Sequence, residues 1–153
     1  MKKLIMTGLL LIVSHSTMAV GMVNDMQLCQ GVIEFVDKKL KAAPAYYDKA
    51  DVKTVRKGLE AYDQYIQGEI VAPKLLKFNG GDIEKARVMQ KQVDAYKMTV
   101  VNQLNTRYPQ PNLFTDHAIS INDCAKKAVP SGKELDKLKD ALNTMVKLAQ
   151  LHG

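Results

Sequence analysis

The sequence has no tryptophan, three phenylalanines and three histidines, so it is poor in aromatic anchors and in metal ligands. It has no Cys-x-x-Cys, His-Glu-x-x-His or Cys-x-x-Cys-His sequence, and therefore lacks the usual ligand spacings of zinc sites and of c-type haem attachment. A Gly-x-Ser-x-Gly elbow and a glycine-rich phosphate loop are also missing. These absences disfavour the common hydrolase, metalloenzyme and nucleotide-binding classes. We expect a protein that is not an enzyme and has no metal and no cofactor.

Two groupings nevertheless have the residue types of a catalytic site. Asp116 precedes His117, but neighbouring residues on a helix point about 100° apart and do not orient one another as a base and its partner. Glu60 and Asp63 share a helix face with Lys57 one turn away, which is typical of a solvated ion-pair surface. We interpret His117 as a half-buried structural residue and the carboxylates as surface groups.

The N-terminus has the pattern of a secretory signal. Lys2 and Lys3 precede an apolar run over residues 4–13, and the small residues Thr17 and Ala19 fit the pockets of a signal peptidase. The run is about ten residues long, whereas a membrane-spanning helix needs roughly 20, so a permanent anchor is disfavoured. We predict a signal peptide that is removed after Ala19.

The predicted cleavage divides the chain into a signal peptide, residues 1–19, and a single helical domain, residues 20–153. Removal of 19 of the 153 residues leaves 134, and loss of Lys2 and Lys3 lowers the net charge from +6 to +4. We expect the exported protein to be periplasmic or secreted, with no stable membrane insertion after cleavage.

The only two cysteines, Cys29 and Cys124, both lie in the exported domain. Exported chains meet an oxidising compartment in which paired thiols form disulfides, so we predict a Cys29–Cys124 bond. In the loop-entropy treatment such a long closed loop stabilises the fold by about 4 kcal/mol. A redox-active pair is disfavoured because its cysteines are usually close in sequence.

Helical spacing runs through the exported domain, without sustained period-two alternation. Five predicted helices have apolar stripes at steps of three and four: Met22, Met26, Cys29, Ile33, Val36, Leu40 and Ala43; Val52, Val55, Leu59, Tyr62, Ile66 and Ile70; Ile83, Ala86, Met89, Val93, Tyr96, Val100 and Leu104; Phe114, His117, Ile121, Cys124 and Ala128; Leu135, Leu138, Leu142, Met145 and Ala149.

Caps and breakers define the predicted helix boundaries: Pro44 after the first helix, Asp51 before the second, Pro73 as its kink or end, Asn79-Gly80-Gly81 and Asp82 before the third, Asn112 before the fourth, and a Ser131–Glu134 capping box before the fifth. The connections are short, which favours antiparallel neighbours. We predict an all-α, up-and-down bundle of four long helices and one shorter helix inserted before the last, stapled by one disulfide.

The net positive charge suggests nucleic acid or an anionic surface as a partner. The lysines are interspersed with aspartate and glutamate, however, and an exported protein rarely meets nucleic acid. We therefore expect no nucleic-acid partner, and interpret the lysines mainly as a solvated surface. An acidic protein or an anionic envelope surface remains an alternative.

Four tyrosines stand out as candidate partner-binding residues: Tyr46 and Tyr47 in the first connection, and Tyr62 and Tyr65 three apart in the second helix. Tyrosine provides a large rigid contact area with a polar tip, and is enriched where proteins meet partners. The alternative is that Tyr62 belongs to the core and the other three cover it.

An exported, disulfide-stapled helical module with these features suits a protein-binding role. The favoured hypothesis is a periplasmic immunity or inhibitor protein that neutralises a partner toxin or hydrolase. Immunity proteins of type VI secreted effectors share this organisation, although they share no motif with this chain. The alternative is a periplasmic envelope-stress chaperone, which needs an exposed apolar or switchable surface.

A third hypothesis concerns haem. Met26 lies on the first apolar stripe and His152 at the end of the last helix, and chain ends meet in an up-and-down bundle. The arrangement is similar to small periplasmic b-type cytochromes. The resemblance implies a non-covalent haem with these two residues as axial ligands.

Overall fold

The computed structural model describes residues 16–152 of the protein, with side chains described for residues 21–151. Most of the predicted signal peptide, residues 1–19, lies outside the described residues. The described part is entirely helical and contains no strand, which confirms the all-α prediction. None of its helices is long and apolar enough to cross a membrane.

The helices of the described part are, in chain order, α1 Ser16–Lys41, α2 Lys49–Tyr65, a π-helical segment Ile66–Val71, α3 Ala72–Phe78, α4 Ile83–Arg107, α5 Thr115–Lys127 and α6 Gly132–Ala149, followed by a 3-10 turn Gln150–His152. The segments from α2 through α3 form one continuous helix. The described chain therefore has five helices, as the apolar stripes predict.

The second helix passes through Pro73 instead of ending there. Pro73 lies in the first turn of α3, where its missing N–H is tolerated. The preceding π-helical segment changes the hydrogen-bond register, since the Ala72 N–H bonds to the Gln67 carbonyl five residues earlier. The helix ends after Phe78, at the predicted Asn79-Gly80-Gly81 turn. Gly80 and Gly81 have φ values of 63° and 85°, which suit glycine.

The N-terminus of α2 differs from the prediction. Asp48 is the N-cap, and its Oδ1 accepts hydrogen bonds from the backbone N–H groups of Ala50 at 2.8 Å and Asp51 at 3.1 Å. The helix begins earlier than expected, so Asp51 lies within the first turn, where a negative charge is favourable. At α4 the predicted cap is confirmed: Asp82 accepts from the Lys85 N–H at 3.0 Å.

The predicted cap of α5 is wrong. Phe114, not Asn112, holds the N-cap position of α5, and the Phe114 N–H bonds to Nδ1 of His117 at 3.3 Å. Ser131 holds the predicted N-cap position of α6, but its side chain makes no capping hydrogen bond and the predicted capping box does not form. Gly132, the first residue of α6, has a left-handed φ of 55°, which departs from the helical backbone that a capping box requires.

α1 lies at the centre of the fold and contacts α2, α3, α4 and α5, while α6 packs on α2 and α5. Two glycines allow close approach of helices. A Cβ at Gly31 of α1 would lie 2.8 Å from Val100 Cγ1 of α4, and a Cβ at Gly58 of α2 would overlap the Lys137 carbonyl oxygen of α6. The core between these contacts is continuous, with Phe35 and Tyr62 among its largest fully buried side chains.

The predicted stripe of α4 is only partly buried. Val100 is buried, but Tyr96 is 43% exposed and Ile83 is 71% exposed. Spacing defines one side of a helix, not how much of that side a neighbour covers. The buried residues of α4 are Val100 and Val101, near its C-terminal end.

A row of glutamines connects α1, the π-helical segment and α4. Gln27 donates to Gln30 at 2.7 Å, Gln30 to Gln67 at 3.4 Å, and Gln67 to Gln90 at 2.9 Å. Gln27 and Gln30 are buried, where a polar group without a partner is costly. The amide bonds fix the register of these three elements because a shift would leave buried polar groups unpaired.

The predicted disulfide is present. Cys29 of α1 and Cys124 of α5 are bonded, with Cα atoms 5.7 Å apart and 95 residues between them in sequence. Both sulfur-bearing side chains are buried, as expected from their places on the apolar stripes.

Candidate partner-binding site

The first tyrosine pair lies in the loop between α1 and α2. The rings of Tyr46 and Tyr47 are perpendicular, with centroids 5.2 Å apart. Tyr47 is buried and its hydroxyl accepts a hydrogen bond from the Leu113 N–H at 2.9 Å. Tyr46 is 55% exposed and donates to Oδ1 of Asn112 at 2.8 Å. The pair fastens this loop to the loop before α5.

The second tyrosine pair lies on α2 and holds the chain that follows α5. Tyr62 is fully buried and donates to the Ala128 carbonyl at 3.0 Å, and burial raises its pKa above the usual range. Tyr65 is half-buried and donates to the Val129 carbonyl at 2.9 Å. The two rings are stacked with centroids 6.3 Å apart.

The four tyrosines therefore form two separate pairs. Tyr46 and Tyr65 have surface that a partner can contact, whereas Tyr47 and Tyr62 have almost none. The position of Tyr62 matches the alternative interpretation, in which it belongs to the core. Aromatic spacing gave no means of separating an exposed ring from a buried one.

A charged cleft lies between α1 and α2, with Lys97 of α4 at one side, and encloses about 570 Å³. Apolar side chains line part of it, namely Ile33, Val52 and Leu59. Six basic and four acidic side chains complete the lining: Lys41, Lys49, Lys53, Arg56, Lys57 and Lys97; Glu34, Asp37, Glu60 and Asp63. Cavities of this size are typical of binding sites.

α1 forms one wall of the cleft, and the carboxylate of Asp37 on this wall is paired with cations of the protein. Its carboxylate contacts the Lys41 ammonium and the Arg56 guanidinium, each at 2.7 Å. Partial burial opposes ionisation, but these hydrogen bonds and charges hold the pKa of Asp37 below its usual value.

Glu34 is neutralised in the same way. Its carboxylate contacts Lys38 at 2.9 Å and Lys97 at 3.4 Å. Burial again opposes ionisation, and the two lysines keep the pKa of Glu34 below its usual value. The α1 wall thus presents ion pairs and not free carboxylates.

Asp63 also lines the cleft, but its pKa is shifted in the opposite direction. It is half-buried, and burial raises its pKa above the usual value, although a hydrogen bond with Gln30 and the charge of Lys97 act in the opposite direction. A carboxyl with a raised pKa in a cleft is a common property of functional sites.

The α2 wall carries three lysines spaced four residues apart, Lys49, Lys53 and Lys57. No carboxylate oxygen of the described residues lies within ion-pair distance of their ammonium groups. The expected pairing of Glu60 with Lys57 is therefore not formed. The sequence contained a signal for this row, since each lysine has a like charge at the next helical turn.

His117 is more deeply buried than predicted. Its ring lies at right angles to those of Phe35, Tyr108 and Phe114, with centroids 4.8 to 5.6 Å away. Nδ1 accepts from the Phe114 N–H, and Nε2 has no hydrogen-bond partner. Burial and the nearby charge of Lys39 lower the pKa of His117 to about 4. The residue is a neutral part of the core.

Lys39 stands beside this aromatic group and is also buried. Its ammonium group donates to the carbonyl oxygens of Tyr108 and Gln110 and lies 5.1 Å from the centre of the Phe35 ring. These contacts replace water around the charge, so Lys39 anchors the chain after α4 to α1.

The haem hypothesis depends on Met26 and His152 as axial ligands. Met26 is fully buried within the hydrophobic core, and the side chain of His152 lies outside the described part. In the described part no three His, Cys, Asp or Glu side chains are grouped so as to hold a metal ion.

Comparison of the chain with protein-family models, with curated proteins and with solved structures gave no significant match. The charged cleft and its surroundings are therefore the features that bear on function.

Proposed function

We propose that the exported domain is a non-enzymatic protein-binding module, and that it acts as a periplasmic or secreted immunity or inhibitor protein that neutralises a partner toxin or hydrolase. We also infer that α5 is the short helix inserted into an up-and-down bundle of four long helices, since short connections join successive helices.

The charged cleft between α1 and α2 is the observation that carries the proposal. It is concave, has charged walls and an apolar lining, and lies beside the buried core. A partner that enters it meets side chains that are already positioned, because Asp37 and Glu34 hold Lys41, Arg56 and Lys97 in ion pairs. Preorganised surfaces of this kind lose little conformational freedom on binding and so favour tight association.

The disulfide supports the same function. An inhibitor must keep its binding surface intact in an oxidising compartment outside the cytoplasm, where a disulfide persists. The Cys29–Cys124 bond joins α1, which forms one wall of the cleft, to α5 on the other side of the core. It thereby limits the unfolding of the cleft wall.

The test is capture of partners by the oxidised protein, residues 20–153, from a periplasmic extract, followed by mass spectrometry. One partner in a 1:1 ratio, whose activity falls when the purified protein is added, supports an inhibitor. Many unfolded clients support the chaperone alternative, and a Soret band in the purified protein supports the haem alternative. Capture of nothing, together with hydrolysis of an envelope substrate, contradicts all three binding hypotheses.

A further inference from the structure

The lysine row on α2 destabilises the helix that carries it. Lys49, Lys53 and Lys57 repeat at four-residue intervals, and like charges at this spacing destabilise a helix by about 0.2 to 0.5 kcal/mol per pair. Lys49 is also the first residue of α2, where the helix dipole disfavours a positive charge. A binding role explains three cations kept in positions where folding does not favour them.

The charge of the row is not compensated across the cleft. The opposite carboxylates, Asp37 and Glu34, already contact other cations, namely Lys41, Arg56, Lys38 and Lys97. The other two carboxylates of the lining, Glu60 and Asp63, lie on α2 itself and are outnumbered by its three lysines. The row consequently presents a net positive edge to solvent, and a carboxylate from outside is its natural complement.

An apolar strip accompanies this positive edge. Val52 is partly exposed and lies in the cleft with Ile33 and Leu59, which are buried. An apolar side chain placed there removes water from both surfaces. The lining is thus complementary to a ligand that carries apolar as well as anionic groups.

We propose that the cleft binds an acidic protein segment whose carboxylates recur about every 6 Å, the spacing of one helical step of four residues, and which places an apolar side chain against Val52. A helix with acidic residues at every fourth position, or a strand with acidic residues at alternate positions, meets this spacing. The inference rests on the proposed function and names the chemistry of the partner.

A protein segment is favoured over an anionic membrane by the shape and charge of the site. The lysines face a cleft that a flat lipid surface does not enter, and the α1 wall opposite them carries carboxylates. A narrow peptide segment can enter the cleft and contact the α2 lysines, whose charge the ion pairs of the α1 wall leave uncompensated.

The direct test uses two synthetic helical peptides of the same composition, titrated into the oxidised domain by calorimetry at about 50 mM and about 300 mM salt. In the first peptide, glutamates occupy every fourth position beside a leucine, and in the second they are dispersed around the helix. We expect 1:1 binding of the first peptide, at least about tenfold tighter than that of the second, with weakening at high salt. Phosphatidylglycerol vesicles serve as the membrane probe.

Two triple variants locate the binding. Lys49→Glu, Lys53→Glu and Lys57→Glu together should weaken binding of the first peptide by about tenfold or more. The matched control, Lys77→Glu, Lys91→Glu and Lys133→Glu, makes the same change of net charge at lysines outside the cleft and should weaken it less than about threefold. The introduced glutamates repel one another as the lysines do, and the one at position 49 suits the N-terminus of α2, so the cleft variant should melt close to the wild type. If it melts clearly lower, the corresponding glutamine variant replaces it.

Three results overturn the inference: equal binding of both peptides, equal losses in both triple variants, or binding of vesicles in preference to the peptide. The cellular partner separates this inference from the proposed function. If wild type and cleft variant capture the same stoichiometric partner equally well, the cleft inference fails and the protein-binding function stands. If wild type captures no stoichiometric partner, the proposed function fails, and the peptides still report on the chemistry of the cleft.

Discussion

The Tyr47 hydroxyl accepts a hydrogen bond from the backbone N–H of Leu113 at 2.9 Å, and both residues are buried. The bond joins the loop after α1 to the loop before α5, so it connects two irregular segments that are 66 residues apart in sequence. Loops buried in this way need partners for their backbone groups, and here a tyrosine supplies one.

Replacement of Tyr47 by phenylalanine should therefore leave the Leu113 N–H without a partner. We expect a loss of about 1 to 2 kcal/mol in the free energy of unfolding, measured by urea denaturation. Tyr46→Phe is the matched control, since its hydroxyl bonds to Asn112 on the surface and its loss should change stability by less than about 0.5 kcal/mol. Equal effects of the two changes would mean that the Tyr47 bond has no special structural role.

The helices and the disulfide could be predicted because the spacing of apolar residues within each segment indicates both the helix and the side of it that is buried. Cys29 and Cys124 each lie on an apolar stripe, and the two cysteines of the chain have only each other to bond within it. The end of the helix at Pro73, one of the two predicted alternatives, is wrong because the helix continues to Phe78, and no residue pattern marks the π-helical segment that precedes the proline.

The burial and pairing of the candidate-site residues were harder to predict from the sequence. Tyr62 was ambiguous because a ring on a stripe is equally suited to a core and to an interface. The sequence predicts Lys57 in a solvated ion-pair surface with Glu60 and Asp63, but no carboxylate oxygen of the described residues lies within ion-pair distance of its ammonium group. Pairing across helices, as between Asp37 and Arg56, depends on packing that spacing within one helix does not define.

The disulfide should be present in the exported protein and should dominate its resistance to denaturation. Mass spectrometry should find the mass of residues 20–153 less two hydrogens, because Cys29 and Cys124 are bonded. Replacing both cysteines by serine should lower the free energy of unfolding by about 2 to 5 kcal/mol, measured by urea denaturation. Two free thiols in the exported protein would contradict the bonded core, and adding a reductant to the serine variant should change nothing.

His117 should make the protein less stable in mild acid. Burial and the charge of Lys39 lower its folded-state pKa to about 4, against a usual value of 6.5. Between these values the unfolded chain binds a proton that the folded protein does not bind, so stability falls as the pH falls. We expect a loss of about 1 to 2 kcal/mol between pH 7 and pH 5, measured by urea denaturation.

His117→Asn provides the control for this pH dependence. The asparagine oxygen can accept the Phe114 N–H as Nδ1 does, but it does not titrate. The variant should lose most of the stability difference between neutral and mildly acidic solution. The groups that face His117, Asp116 and Lys39, remain unchanged in it, so an undiminished pH dependence would assign the effect to other residues.

Gly58 should be the least replaceable glycine of the bundle. Alanine favours helices over glycine by about 1 kcal/mol, so propensity alone predicts that Gly58→Ala stabilises α2. A Cβ at this position, however, would overlap the Lys137 carbonyl and lie 2.6 Å from the Cβ of Ala141, so α2 and α6 would have to separate. We expect a net loss of more than about 2 kcal/mol, measured by thermal and urea denaturation.

Gly68→Ala is the matched substitution in the same continuous helix. A Cβ there meets nothing within 4 Å, and the residue is exposed, so the change should raise the free energy of unfolding by about 0.5 to 1 kcal/mol. Opposite signs for the two glycines would establish that α2 and α6 touch through their backbones. If Gly58→Ala is as stable as wild type, the two helices are farther apart than the structure places them, and the α2 wall of the cleft is not held from behind by α6.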